Sequence, residues 1–135
     1  MVIDSSALLA ILLGEPETHS FSKAIANDPK RLVSVVSALE AAIVIEAKKG
    51  PAGGRELDLL LHEASMDLVG MDVEQLKIAR RAYQKFGKGL HPAGLNFGDC
   101  CSYALSRCSG EALLFKGNDF SKTDAVDALS FLPKE

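Results

Sequence analysis

Four acidic residues, Asp4, Glu40, Asp99 and Asp119, stand where a folded chain could bring them together. Asp4 follows the apolar pair Val2–Ile3, and Glu40 comes four residues after the apolar run Leu32–Val36. Asp99 opens the Cys-rich segment Phe97–Cys108, and Asp119 comes three residues after Ala112–Lys116. If the apolar runs are parallel strands joined by helices, strand ends and helix starts share one edge, the edge where α/β proteins place ligands. Carboxylates gathered there raise one another's pKa, and helix N-termini or a bound cation must offset the repulsion. An all-carboxylate donor set suits Mg²⁺ or Mn²⁺ better than Zn²⁺. Such a site can activate water for attack on a phosphodiester and stabilise the leaving oxygen, so its chemistry is metal-assisted phosphoester hydrolysis. Each acid also has a plain structural explanation. Asp4 suits an N-cap, and Glu40 completes the S-x-x-E capping box that begins at Ser37. Asp99 suits a helix start, and Asp119 a turn. Asp72 also follows a strand and begins a helix, so spacing alone does not set it apart.

The elements that must position these acids alternate along the chain. A strand at Val2–Ile3 leads through Asp4-Ser5-Ser6 into a helix over Ala7–Leu13, which Gly14 and Pro16 end. A helix over Glu17–Ala26 precedes a strand at Leu32–Val36, whose β-branched residues suit a sheet buried on both faces. A helix then runs to Lys49, Gly50–Gly54 reads as a loop, and Arg55–Ser65 as a leucine-rich helix. Leu68–Met71 is a strand, and Asp72 starts a helix to Phe86. Gly87–Asn96 is a turn-rich connection, Phe97–Cys108 a helix, Ala112–Lys116 a strand and Gly117–Asp124 a loop. Alternation of this kind predicts an α/β fold with a mainly parallel sheet. At 135 residues, with no repeat or interior linker, one domain over 1–135 is expected.

Composition excludes several classes. With 47% hydrophobic and 24% charged residues the chain is neither disordered nor low in complexity. A net charge of −3 and a pI near 5.6 exclude a strongly basic nucleic-acid arm. Most of that acidity resides in the four acids, and the rest of the chain is close to neutral. Cys100, Cys101 and Cys108 form no disulfide framework or zinc knuckle, and they read as reduced thiols of a cytoplasmic protein. No membrane span and no signal peptide are expected.

Several segments also carry a family likeness. The opening MVIDSSALLAILLGEPE, SALEAAIVIEAKKG, HPAGLNFGDCCSYALS and LLFKGNDFSKTD resemble PIN-domain ribonucleases, specifically the VapC-type toxins of bacterial toxin–antitoxin modules. The resemblance covers essentially the whole chain and implies a three-layer α/β/α PIN fold. It also implies that Asp4, Glu40, Asp99 and Asp119 form an acidic quartet. Asp4 and Asp99 would be the direct Mg²⁺ ligands, Glu40 and Asp119 would lie nearby, and Asp72 would only cap its helix. Asn118 stands where similar proteins often carry another acid, which leaves Asp124 as a reserve. The implied activity is an Mg²⁺-dependent endoribonuclease acting as a toxin, neutralised by a VapB-like antitoxin and forming a homodimer.

Lys77, Arg81, Lys85 and Lys88, with Arg80 beside them, make a basic stripe on one predicted helix. They read either as an RNA-tracking surface or as a solvated face. Lys116 ends a strand at the proposed rim and could meet a phosphate. Two other functions fit the sequence. One is a non-hydrolytic, Mg²⁺-binding receiver-like signalling module, although a receiver wants adjacent acids where Asp4 is followed by two serines. The other is an inactive PIN-like domain that only binds a partner.

Overall fold

A computed structural model describes residues 1–131. Four short strands form one all-parallel sheet: β1 (Val2–Ile3), β2 (Leu32–Ser34), β3 (Asp67–Val69) and β4 (Leu113–Leu114), in the spatial order β3-β2-β1-β4. Val2 is in register with both Leu32 and Leu113, which places β1 in the interior of the sheet. Because successive strand residues face opposite sides, the sheet feeds two cores. Ile3, Val33 and Leu114 join one core, with residues from the first four helices. Val2, Leu32 and Leu113 join the other, with residues from the last two. The first four helices are α1 (Ser5–Leu12), α2 (Thr18–Asn27), α3 (Val35–Lys49) and α4 (Pro51–Glu63); the last two are α5 (Val73–Phe86) and α6 (Phe97–Ser109). Both faces are thus covered, as an all-parallel sheet requires. The expected α/β architecture is present. No helix of the described residues is long and apolar enough to cross a membrane.

Two sequence expectations need correction. The strand read as Leu32–Val36 ends at Ser34, and α3 starts at Val35. Ser34, not Ser37, is the N-cap, its hydroxyl accepting from the Val36 N–H at 3.2 Å. Glu40 therefore lies in the second turn of α3, outside any capping box. The loop read at Gly50–Gly54 is mostly helix: α4 begins at Pro51, directly after Gly50, which turns the chain at φ 65°. Gly53 is the reason for the tight α3–α4 turn, because a Cβ there would run into the backbone carbonyl of Ile45.

Chain order along the sheet reverses between β1 and β4, so the crevice between their C-terminal ends is a topological switch point. Asp4 follows one of those strands and Asp119 comes five residues after the other.

Candidate active site

Asp4 is the fixed centre of the acidic edge. It is only 2% exposed and caps α1, its Oδ2 accepting from the Ser6 N–H at 3.0 Å. Its Oδ1 accepts from the Ser102 hydroxyl at 2.5 Å, and Ser102 Oγ lies 2.9 Å from Ser37 Oγ. A serine has one hydroxyl proton, and that of Ser102 goes to Asp4. Ser37 must therefore donate to Ser102, which gives a directed chain from Ser37 through Ser102 to Asp4. Ser37 and Ser102 are both fully buried. This chain ties α1, α3 and α6 to one carboxylate.

Asp99 sits in the first turn of α6 in a reciprocal capping box. Its backbone N–H donates to Asn96 Oδ1 at 2.9 Å, and its Oδ2 accepts from the Asn96 N–H at 3.0 Å. Its Oδ1 has no hydrogen-bond partner among the described residues. Burial pushes the Asp99 carboxyl up to about 6 against the pull of the Asn96 N–H, and the charges of Asp4, Asp119 and Glu40 push the same way. The other three sequence-predicted acids thus lie within electrostatic reach of Asp99.

Glu40 is held by the Ser5 hydroxyl, which donates to its Oε1 at 3.2 Å. Burial and then the charge of Asp4 raise its pKa, with Ser5 opposing. Gly98 packs against this carboxylate so closely that any Cβ would overlap it. Asp119 is exposed at the end of the crevice, and its side chain makes no hydrogen bond among the described residues. Asp72 caps α5, accepting from the Gln75 N–H at 2.8 Å, and does not act on Asp99. Asp124, the reserve acid, is turned elsewhere: it accepts from the Tyr103 hydroxyl at 2.6 Å and pairs with Arg107 at 3.8 Å.

The basic candidates divide. The backbone N–H of Lys116 donates to Ser6 Oγ at 3.0 Å, which brings its main chain to the rim. Its ammonium instead pairs with Glu15 at 3.0 Å and Glu17 at 3.4 Å. Arg81 and Lys85 lie on α5, and Lys88 follows it. Cys100 and Cys101 are buried beside Asp99; burial raises both thiols, that of Cys100 to about 11, so neither is a thiolate ligand near neutral pH.

Among the described residues no three Asp, Glu, His or Cys side chains form a ready-made metal cage. The donor chemistry nevertheless fits a hard cation, since Mg²⁺ takes one or two carboxylates and keeps several waters. Asp4 and Asp99 are the carboxylates that the sequence offers as such a pair. Sequence reasoning missed Ser37, Ser102 and Gly98 as parts of the site. The signals were a serine inside the apolar run of α6 and a glycine in its first turn, both visible in FGDCCSYAL.

Residues 1–126 match the PIN domain. The chain belongs to the PIN-domain family. Within it, the chain groups with the VapC ribonucleases: it is 57% identical over 126 residues to Ribonuclease VapC of Mycolicibacterium smegmatis, a match covering 93% of this chain and 98% of that protein. Solved structures share the fold. VapC20 of Mycobacterium tuberculosis, described as a sarcin-ricin loop cleaving toxin, superposes with a TM-score of 0.76 at 16% identity over 93% of this chain and 96% of that one. A toxin–antitoxin complex from Klebsiella pneumoniae gives 0.72 at 13% identity, covering 93% of each chain. Membership of this family replaces the receiver-like alternative. The ammonium of Lys116, held by two glutamates, also removes that reading's phosphate-binding lysine.

Proposed function

We propose that the chain, read as one domain over 1–135, is a divalent-metal-dependent endoribonuclease. We further propose that it acts as the toxin of a toxin–antitoxin module in the cytoplasm. The observation that carries this reading is the convergence of Asp4, Glu40 and Asp119 on Asp99 at the switch point of the sheet, in a PIN domain related to VapC ribonucleases.

Asp4 and Asp99 would hold Mg²⁺, with Mn²⁺ acceptable to the same oxygens. When bound, the cation supplies charge neutralisation of a phosphodiester and activation of an attacking water. The chain's own residues do the rest. The Ser37–Ser102 chain and the Ser6 N–H fix the Asp4 carboxylate in one orientation. The capping box leaves Asp99 Oδ1 turned away from Asn96. Glu40, its pKa raised and one oxygen held by Ser5, is placed to take a proton at its other oxygen, and Asp119 adds negative charge at the open side of the crevice. Arg81, Lys85 and Lys88 would draw RNA to this edge, and Lys116 would contribute only after leaving its two glutamates.

The relatives' names support a cognate VapB-like antitoxin as partner. Self-association into a homodimer is supported by an apolar groove of about 620 Å³ between α5 and α6, where Phe97 is 74% exposed. The deciding experiment is brief induction of wild type and of Asp99→Asn, followed by sequencing of RNA 5′ ends, with cleavage by purified protein with and without chelator. New 5′ ends made by wild type alone, and chelator-sensitive cleavage, are the expected result. Equal growth inhibition by both proteins without RNA cleavage would instead mark a binding-only PIN domain.

A further inference from the structure

The basic stripe of α5 is not one surface. Arg80 and Lys88 line the apolar groove with Phe97, whereas Arg81 and Lys85 line a separate cleft of about 330 Å³ on the other side of the α5–α6 pair. A third cation, Arg107 from the last turn of α6, lines the same cleft. Sequence reasoning did not single it out.

Two of the three cations in this cleft lack a carboxylate partner among the described residues, whereas several bases elsewhere are held. Lys116 is held by Glu15 and Glu17, Lys49 by Glu56 and Lys30 by Glu111. Arg31 donates to the carbonyls of Asp28 and Ala64. Arg81 and Lys85 have no carboxylate partner among the described residues, and the Lys85 ammonium lies 5.1 Å from the Phe86 ring centroid. Glu74 also lines the cleft, but it forms no ion pair among the described residues. Arg107 alone is steadied by an acid: Asp124, itself fixed by the Tyr103 hydroxyl, pairs with it.

The cleft is joined to the acidic edge along α6. Asp99, Tyr103 and Arg107 succeed one another at four-residue spacing, about 6 Å of helix per step. The segment from Asp119 to Asp124 follows the same course. At one end the charge of Asp119 acts on Asp99, and at the other Asp124 binds Tyr103 and Arg107. A phosphate held beside Arg107 would therefore lie about two turns of α6 from Asp99.

We infer that Arg81, Lys85 and Arg107 form a subsite for the phosphodiester backbone of single-stranded RNA, about 12 Å along α6 from the scissile position. This rests on the ribonuclease reading above and names the residues that give it substrate affinity. The acidic edge repels phosphates, so attraction has to come from a remote patch, whose binding energy is then used to seat the strand at the reacting centre. These three are positioning residues, and they touch no reacting atom.

The test uses the full chain carrying Asp99→Asn, without metal, so that binding is read apart from cleavage. Anisotropy of a fluorescein-labelled single-stranded RNA is followed over a salt series. Adding Arg81→Glu with Lys85→Glu is expected to weaken binding by about tenfold or more. It should also flatten the slope of log affinity against log salt by about 1.4, two phosphate contacts' worth for a single strand. Arg81→Gln with Lys85→Gln should move both in the same direction by less, which keeps the test valid if the reversed pair folds poorly. Lys48→Glu, at the far end of α3, should change neither. Equal affinity and equal slope in the reversed pair overturn the subsite. So does retained RNA binding with lost affinity for a poly-glutamate peptide, which would assign the cleft to an acidic protein segment. Failure of the wild-type chain to cleave RNA with Mg²⁺ or Mn²⁺, while the slope change persists, removes the ribonuclease reading and leaves the subsite.

Discussion

The two edges of one small sheet treat carboxylates in opposite ways. At the edge where the strands begin, Asp28 and Glu111 flank the Met1 ammonium at 2.9 and 3.1 Å, with Lys30 3.6 Å from Glu111. The net effect on Asp28 is a lowered pKa: its burial is outweighed by hydrogen bonds from the ammonium and the Lys30 N–H and by positive charge nearby. At the edge where the strands end, Glu40 and Asp99 are both raised, and no lysine or arginine pairs with either among the described residues. Acids of the first edge are neutralised from within the chain. Those of the second are held in place by serine hydroxyls, backbone N–H groups and Gly98, and their charge is left for something external. A structural ion cluster and a site for a cation thus differ in what surrounds the carboxylates more than in the carboxylates themselves.

The largest effect that would sharpen this contrast is loss of chemistry at the second edge. Asp4→Asn and Asp99→Asn should each lower metal-dependent RNA cleavage by about a thousandfold or more, read as initial rates on purified RNA. Gly98→Ala comes next. Its methyl group must displace the Glu40 carboxylate, the far end of a flexible side chain, which should cost about 1 kcal/mol of stability or less but a clear share of activity, measured by denaturant unfolding and cleavage rate.

Stability should then respond to pH with opposite signs at the two edges. The folded-state pKa of Asp99 is raised to about 6, so between about 4 and 6 the folded chain binds more protons than the unfolded one. Metal-free wild type should therefore lose stability relative to Asp99→Asn as pH rises through that window, by about 1–2 kcal/mol once solvent screening is allowed for. Asp28 is lowered, so its contribution is present above the ordinary carboxylate range and fades as pH falls through its folded pKa. Asp28→Asn should lower stability near neutrality and progressively less as pH falls into acid. Melting temperatures of the three proteins over a pH series check both signs, and parallel profiles would dissolve the contrast. The smallest effect is expected for Lys116→Ala: an exposed ammonium already paired with Glu15 and Glu17 should change cleavage by less than about twofold.

Much of this arrangement was legible in the sequence because Asp4 directly follows a strand and Asp99 opens a helix, while Glu40 and Asp119 come shortly after strand ends. The alternation of elements and the helix from Phe97 follow from local pattern alone, whereas the capping-only role of Asp72 came from the family resemblance. What was misread has a physical cause. Val35 and Val36 are β-branched and read as strand, but the N-cap at Ser34 and the burial of Ser37 against Ser102 draw them into α3. The glycines of Gly50–Gly54 look like a loop until the closeness of Gly53 to Ile45 shows that helix packing needs them. The Ser37–Ser102–Asp4 chain was hidden because it joins residues 65 and 98 positions apart, beyond any local pattern.

That chain also bears on when the site can exist during synthesis. Asp4 is made well before Ser102, which follows it by 98 residues, and Asp119 comes later still. At roughly 5–20 residues per second, a ribosome needs about 5–20 seconds to make the interval between Asp4 and Ser102. Until α6 has docked, Asp4 has no Ser102 and Asp99 has no capping helix, so a nascent chain carries scattered acids and no assembled edge. Competence therefore arrives only after α6 and Asp119 have been made. For a protein proposed to cut RNA, this ordering would spare the message and ribosome that are producing it.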